Sequence, residues 1–169
     1  MSQIEVVIVS SVRTTIGTFD GSLKSIPATE LGSTVIKACI QRSTISPNEI
    51  DSVIMGQVVQ AGSKMNPARQ SAIGAGLPVE VPAFTVNRVC GSGAQAIVSG
   101  FLEIVSGYNK VVIAGGMENM DMCPYLIANG RYGYRMGDAK LIDSMLCDGL
   151  NDAFLDIIQV GIQKTLRKN

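Results

Sequence analysis

The chain has 169 residues, with 14 basic and 14 acidic side chains, no histidine and a formal net charge of zero. That balance, with aromatics at 5%, argues against a nucleic-acid surface, and no run reaches the roughly 18 apolar residues of a membrane span. Hydrophobic residues at 46% against 17% charged, with a mean hydropathy of +0.28, are apolar for a domain in water and point to a face that further protein covers.

Met1 to Val6 lacks the basic-then-apolar plan of a signal peptide, so a cytoplasmic location is expected. Cys39, Cys90, Cys123 and Cys147 are widely spaced, without a CxxC pair. Without clustered Cys and His no metal site is expected, and in a chain of this size read as cytoplasmic no disulfide framework is expected. Cys39, Cys123 and Cys147 read as packing thiols, because buried free cysteine usually only fills space.

In chain order, Ile4–Ser10 reads as a buried, β-branched strand. A polar connection from Arg13 to Pro27 leads to a helix over Ala28–Arg42, with Thr29 as candidate N-cap and Leu31, Val35 and Cys39 along one stripe. Ser46 and Glu49 have capping-box spacing, with Pro47 at the first helical position. Val53–Gln60 is a second strand, and the loop Ala61–Arg69 enters a short helix that ends before Gly76. Pro82–Val89, Gly93–Ser106 and Lys110–Gly115 read as strand, helix and strand. Strands alternating with helices give an α/β fold with a layered, largely parallel sheet and helices on both faces. From Met117 to Phe154 the pattern loosens, and Arg131–Gly137 is a Gly- and Tyr-rich excursion.

The chain is organised around Thr85–Ile97. An apolar strand ends at Cys90, then Gly91-Ser92-Gly93 turns into a helix whose Ile97, Phe101, Leu102, Ile104 and Val105 point nearly all round. Cys90 therefore falls at a strand-to-helix turn, where the helix dipole and free backbone N–H groups favour a thiolate. The same glycines fit the dinucleotide pattern G-x-G-x-x-A through Ala96, but at the third strand and without an acidic residue ending the next one, which disfavours that reading. Asn87, Arg69, Glu118 and Asn119 read as hydrogen-bonding residues that hold loops.

These residues resemble the N-terminal half of thiolases, the acetyl-CoA acetyltransferases. The resemblance is carried by Val12-Arg13-Thr14 with Ile16-Gly17, Gln60-Ala61-Gly62 with Asn66-Pro67-Ala68-Arg69-Gln70, Gly76-Leu77-Pro78, Pro82–Asn87, Val89–Gly93, Gly115–Met120 and Asp148–Phe154, in order over Ile4–Phe154. Thr15 stands where the family usually has proline. The resemblance implies an incomplete αβαβα fold, a layered mixed sheet with helices on both faces: residues 1–118 form a half-domain carrying the nucleophile, 119–154 begin a loop domain, and 155–169 lack family resemblance. It implies Cys90 as acyl-thioester nucleophile, coenzyme A and acetyl-CoA as substrates and no bound cofactor. A homodimer or tetramer is implied, with 62–69 in the dimer contact and 131–137 in a tetramer loop. The expected reaction converts acyl-CoA and acetyl-CoA to 3-ketoacyl-CoA and CoA, or reverses this in fatty-acid breakdown. The family's second half, with its Asn-Glu-Ala-Phe segment, Gly-His-Pro base and second cysteine, does not occur here. The isolated chain is therefore expected to lack turnover; the alternative expectation is an inactive fragment or one subunit of a split enzyme.

The resemblance breaks after Phe154. A two-base shift in one permitted codon choice for Phe154–Leu166 yields Ser-Arg-Tyr-His-Ser-Gly-Trp-His-Thr-Glu-Asp-Leu, a thiolase-like continuation, so a frameshifted tail is expected.

Overall fold

The computed structural model describes residues 4–155. The expected frameshifted tail thus lies, but for its first residue, outside the described residues.

The expected first strand does not form. Residues 4–10 carry no strand, and Ile4, Val7, Ile8 and Val9 are exposed. β-branching supplies propensity, but a strand also needs a neighbour to pair with. Among the described residues neither edge of the sheet pairs with this segment.

Helix α1 spans Ala28–Ser43. Its N-cap is Pro27, with no side-chain cap, and not the expected Thr29, which sits one residue inside the helix. Pro27 is fixed in extended geometry and sets the entry to the helix. The Thr29 carbonyl accepts hydrogen bonds from Ser33 Oγ at 2.8 Å and Ser71 Oγ at 3.0 Å. Thr44, at φ 60°, ends the helix in the left-handed conformation. The capping box then forms as spaced: Ser46 N donates to Glu49 Oε2 at 2.9 Å and Asn48 N donates to Ser46 Oγ, starting a 3₁₀ turn over Pro47–Glu49.

Three strands make the principal sheet: β1 Ser52–Gly56, β2 Ala83–Val86 and β3 Val112–Gly116, all parallel, in the order β2-β1-β3. β1 is buried along its whole length, as a central parallel strand must be. Its residues alternate between the faces. Val53 and Met55 join Ile36, Ala68 and Ala72 in the core beneath α1 and helix α2, Pro67–Gly74. Ile54 and Gly56 face the other way, toward helix α3, Ser92–Val105. The β1-to-β2 connection carries α2 on one face, and the β2-to-β3 connection carries α3 on the other.

α3 buries only a narrow strip. Ala96 and Gly100 lie on the sheet, where a methyl built on Gly100 would meet Val112 Cγ1 at 3.0 Å. Ile97, Val98, Phe101 and Leu102 are exposed. This is the all-round apolarity seen in the sequence, with one side covered and the other open.

After β3 the chain turns back. Asn119 Nδ2 donates to the carbonyls of Leu23, Lys24 and Ile26, tying this turn to the connection before α1. A short antiparallel pair, β4 Tyr125–Leu126 with β5 Ile142–Asp143, closes an excursion in which residues 131–137 are all exposed. A π-helical turn over Met145–Leu150 follows.

Candidate active site at the strand ends

The three parallel strands finish together, at Gly56, Val86 and Gly116. In open α/β sheets the carboxyl ends of the strands are where ligands are held. The exit of β2 runs through Asn87, Arg88 and Val89 to Cys90, which is exposed.

Close packing fixes this turn. A methyl built on Gly56 would lie 2.5 Å from the Ser92 carbonyl carbon, and one built on Gly116 would lie 3.1 Å from Gly93 Cα. Backbone approaches this tight tolerate only glycine. The first turn of α3 therefore sits directly on the ends of β1 and β3.

Hydrogen bonds then shape the chain around the thiol. Ser92 Oγ donates to the Val89 carbonyl at 2.6 Å and accepts from Arg88 N at 2.8 Å. Asn87 Oδ1 accepts from Val89 N at 2.9 Å. Val89 is held between them at φ 50°, a left-handed conformation that a β-branched residue rarely adopts. Arg88 Nη1 donates to Gln95 Oε1 at 2.6 Å, so the guanidinium lies along the first turns of α3. The N–H groups of Gly93 and Ala94 have no acceptor among the described residues. Free N–H groups in the first turn of a helix are donors that can meet an oxyanion formed on a bound carbonyl.

The other cysteines are chemically different. Burial and the charges of Glu118, Asp143, Asp148 and Asp121 push the Cys123 thiol up to about 11. Cys147 donates to Asp148 Oδ1 at 2.9 Å, which raises its pKa too. Cys39 is half-buried, with Sγ 3.7 Å from the Ser10 carbonyl. Cys147 is exposed and so does not fill space as the sequence suggested, whereas Cys39 and Cys123 are half-buried.

Glu118 lies just past β3. Its Oε2 accepts from Val58 N at 2.7 Å, while Oε1 is buried without a hydrogen-bond partner. Desolvation raises its pKa, against the lowering effect of the Val58 and Val59 N–H groups. Glu118 also lines a cleft of about 570 Å³ formed with residues 12–19 and α1, but Cys90 does not line that cleft. Among the described residues, no three metal-ligating side chains cluster.

The remaining loop-holding residues act as their chemistry suggests. The Arg69 guanidinium donates to the carbonyls of Val79 and Val81, fastening the loop before β2 to α2. Asn66 caps α2 through Arg69 N at 3.2 Å and also donates to the Ala83 carbonyl. The sequence did not single out Ser92 or Gln95 as partners of the Cys90 turn. A Ser three residues after Val89, at the start of a helix, is the pattern that carries the first of these.

The thiolase N-terminal domain family model matches residues 6–165. The chain belongs to the thiolase family. It is 53% identical over 150 residues to an acetyl-CoA acetyltransferase of Cupriavidus necator, covering 89% of this chain and 38% of that protein. An acetyl-CoA acetyltransferase of Pseudomonas aeruginosa is 53% identical over 152 residues, covering 90% of this chain and 39% of its own length. A probable acetyl-CoA acyltransferase of Staphylococcus epidermidis is 53% identical over 151 residues, 89% of this chain and 38% of its own. The chain thus spans less than two-fifths of the length of these thiolase relatives. The match takes in residues 6–10 of the unpaired segment.

Proposed function

We propose that this chain supplies the nucleophile of a thiolase-type acyltransferase and that Cys90 is the residue that takes the acyl group. The carrying observation is the exposed Cys90 on the turn between β2 and α3, where the first turn of α3, with its unpaired Gly93 and Ala94 N–H groups, packs on the ends of β1 and β3. The relatives named as acetyl-CoA acetyltransferases support an acyl-CoA as donor.

On this reading the Cys90 thiolate attacks the thioester carbonyl carbon. The tetrahedral intermediate collapses with cleavage of the C–S bond to coenzyme A, leaving an acyl-cysteine and free CoA thiolate, so that one difficult step becomes two. The acyl group then passes to the C2 carbanion of an acetyl-CoA, giving a 3-ketoacyl-CoA, or in the reverse sense to CoA. Both directions regenerate the Cys90 thiolate. No cofactor enters the scheme.

The 169 residues contain no histidine. On this reading the Gly-His-Pro base that helps generate the Cys90 thiolate, and the second cysteine of the family, are supplied by a further thiolase segment or a second chain. Residues 1–118 carry the nucleophile and 119–154 begin the loop domain. The alternative assigns the chain a binding or assembly role without chemistry of its own.

Complementation separates the two. The purified chain is mixed with a histidine-bearing C-terminal half of a thiolase and assayed for acetyl transfer from acetyl-CoA. The proposal expects transfer that Cys90→Ser abolishes; no transfer alone or in the mixture contradicts it.

A further inference from the structure

The ends of the three strands are joined by a continuous run of hydrogen bonds that stops at Val89, the residue before Cys90. Glu118, after β3, accepts from Val58 N at 2.7 Å. The carbonyl of the same Val58, after β1, accepts from Asn87 Nδ2 at 3.2 Å. Asn87, after β2, accepts through Oδ1 from Val89 N at 2.9 Å. Val89 is the β-branched residue at φ 50° immediately before Cys90, and its carbonyl is held by Ser92. Every link is geometric, and each lies just past the end of a strand of the sheet.

A valine in the left-handed region persists only where its surroundings over-determine it, and such strain gathers where a side chain must be presented in one way. Asn87 is exposed, yet both ends of its amide are engaged inside the protein. An exposed asparagine held on both sides serves the backbone it touches. One carboxylate oxygen of Glu118 is committed to Val58 N, and the other is buried without a hydrogen-bond partner.

We infer that Glu118 and Asn87 are positioning residues for Cys90: Glu118 fixes the Val58 peptide, Val58 fixes Asn87, and Asn87 holds Val89 in the left-handed conformation that presents the thiol at the start of α3. This rests on the reading of Cys90 as the nucleophile, and it extends that reading to two residues that do not touch the reacting atoms. Val58 opens the loop toward 62–69, so anything that displaces this loop is felt at Cys90 through the same links.

The test reads the rate at which iodoacetamide alkylates each cysteine at neutral pH, resolved by peptide mapping. Cys39 on α1 is the internal control for general loosening. Losing one such hydrogen bond is expected to slow Cys90 about fivefold in Asn87→Ala and in Glu118→Ala, with Cys39 unchanged. Glu118→Gln, which keeps an acceptor for Val58 N, is expected to stay within about twofold of the parent. Adding Val89→Gly to Asn87→Ala is expected to restore most of the rate, because glycine adopts positive φ without help. A bystander role predicts otherwise. Unchanged Cys90 rates overturn the inference, as do changes shared equally with Cys39, or equal losses in Glu118→Gln and Glu118→Ala. Alkylation needs no acyl transfer. A parent chain that forms no acyl adduct from acetyl-CoA, either alone or with the complementing half, would remove the nucleophile reading while leaving the positioning result standing on its own.

Discussion

Gly56 at the end of β1 and Ser92 at the start of α3 approach so closely that a methyl on the glycine would sit 2.5 Å from the serine carbonyl carbon. The atoms in the way are backbone, which cannot rotate aside. Gly56→Ala is therefore expected to cost about 1–3 kcal/mol, as overpacking does. It should also lift the first turn of α3 away from β1. Urea denaturation reads the stability, and a change in Cys90 alkylation larger than that at Cys39 reads the displacement.

Arg69 ties α2 to the loop before β2 through two carbonyls, those of Val79 and Val81. Lysine offers a point charge and cannot span both acceptors as the planar guanidinium does. Arg69→Lys is expected to lose about 1–2 kcal/mol and Arg69→Ala more, measured by denaturant midpoint.

Two carboxyls give the acid limb of stability opposite contributions. Asp51 accepts from Val111 N and Lys110 N, which hold its pKa below 3.8. Its stabilisation is complete above that value and is lost as pH falls through the lower folded-state pKa. Asp51→Asn should remove that loss; the site is well solvated, so the effect is small. Glu118 is the reverse case, because desolvation raises its pKa above 4.5. Its buried charge costs stability above the raised value, and the cost is relieved as pH falls through it. Glu118→Gln should flatten this dependence. Denaturation midpoints collected from about pH 3 to pH 7 for the parent and both variants test the two signs together.

The open face of α3 carries Ile97, Val98, Phe101 and Leu102 side by side, and exposed apolar surface of this kind drives association. Light scattering is expected to show concentration-dependent assembly of the parent chain. Phe101→Lys with Leu102→Lys should reduce it while changing stability by about 0.5 kcal/mol or less, since both side chains are already exposed. A parent that stays a monodisperse monomer contradicts this.

What the sequence disclosed was local. The Ser46–Glu49 capping box, Pro47 behind it and the helical periodicity of α1 and α3 are set by neighbours within a few residues, and all three form. The placement of Cys90 at a strand-to-helix turn is legible for the same reason. The failures are non-local. Ile4–Ser10 has strand propensity but no partner strand among the described residues. The strand expected to reach Gln60 ends at Gly56, and the donor of Val58 goes to Glu118, 60 residues away. The strand expected to reach Val89 ends at Val86, because Val89 turns left-handed under Asn87 and Ser92. The links that shape the site thus join segments whose proximity only the fold creates. The β4–β5 pair and the π-helical turn lie where the sequence shows no periodicity at all.

The central claim, that Cys90 accepts an acyl group, is tested most directly by intact-mass and peptide-level mass spectrometry after incubation with acetyl-CoA. The account predicts a single acetyl group on the peptide containing Cys90, none on Cys39, Cys123 or Cys147, and none in Cys90→Ser. An acetyl group on another cysteine with Cys90 unmodified, or no adduct either alone or with the complementing half, would contradict it.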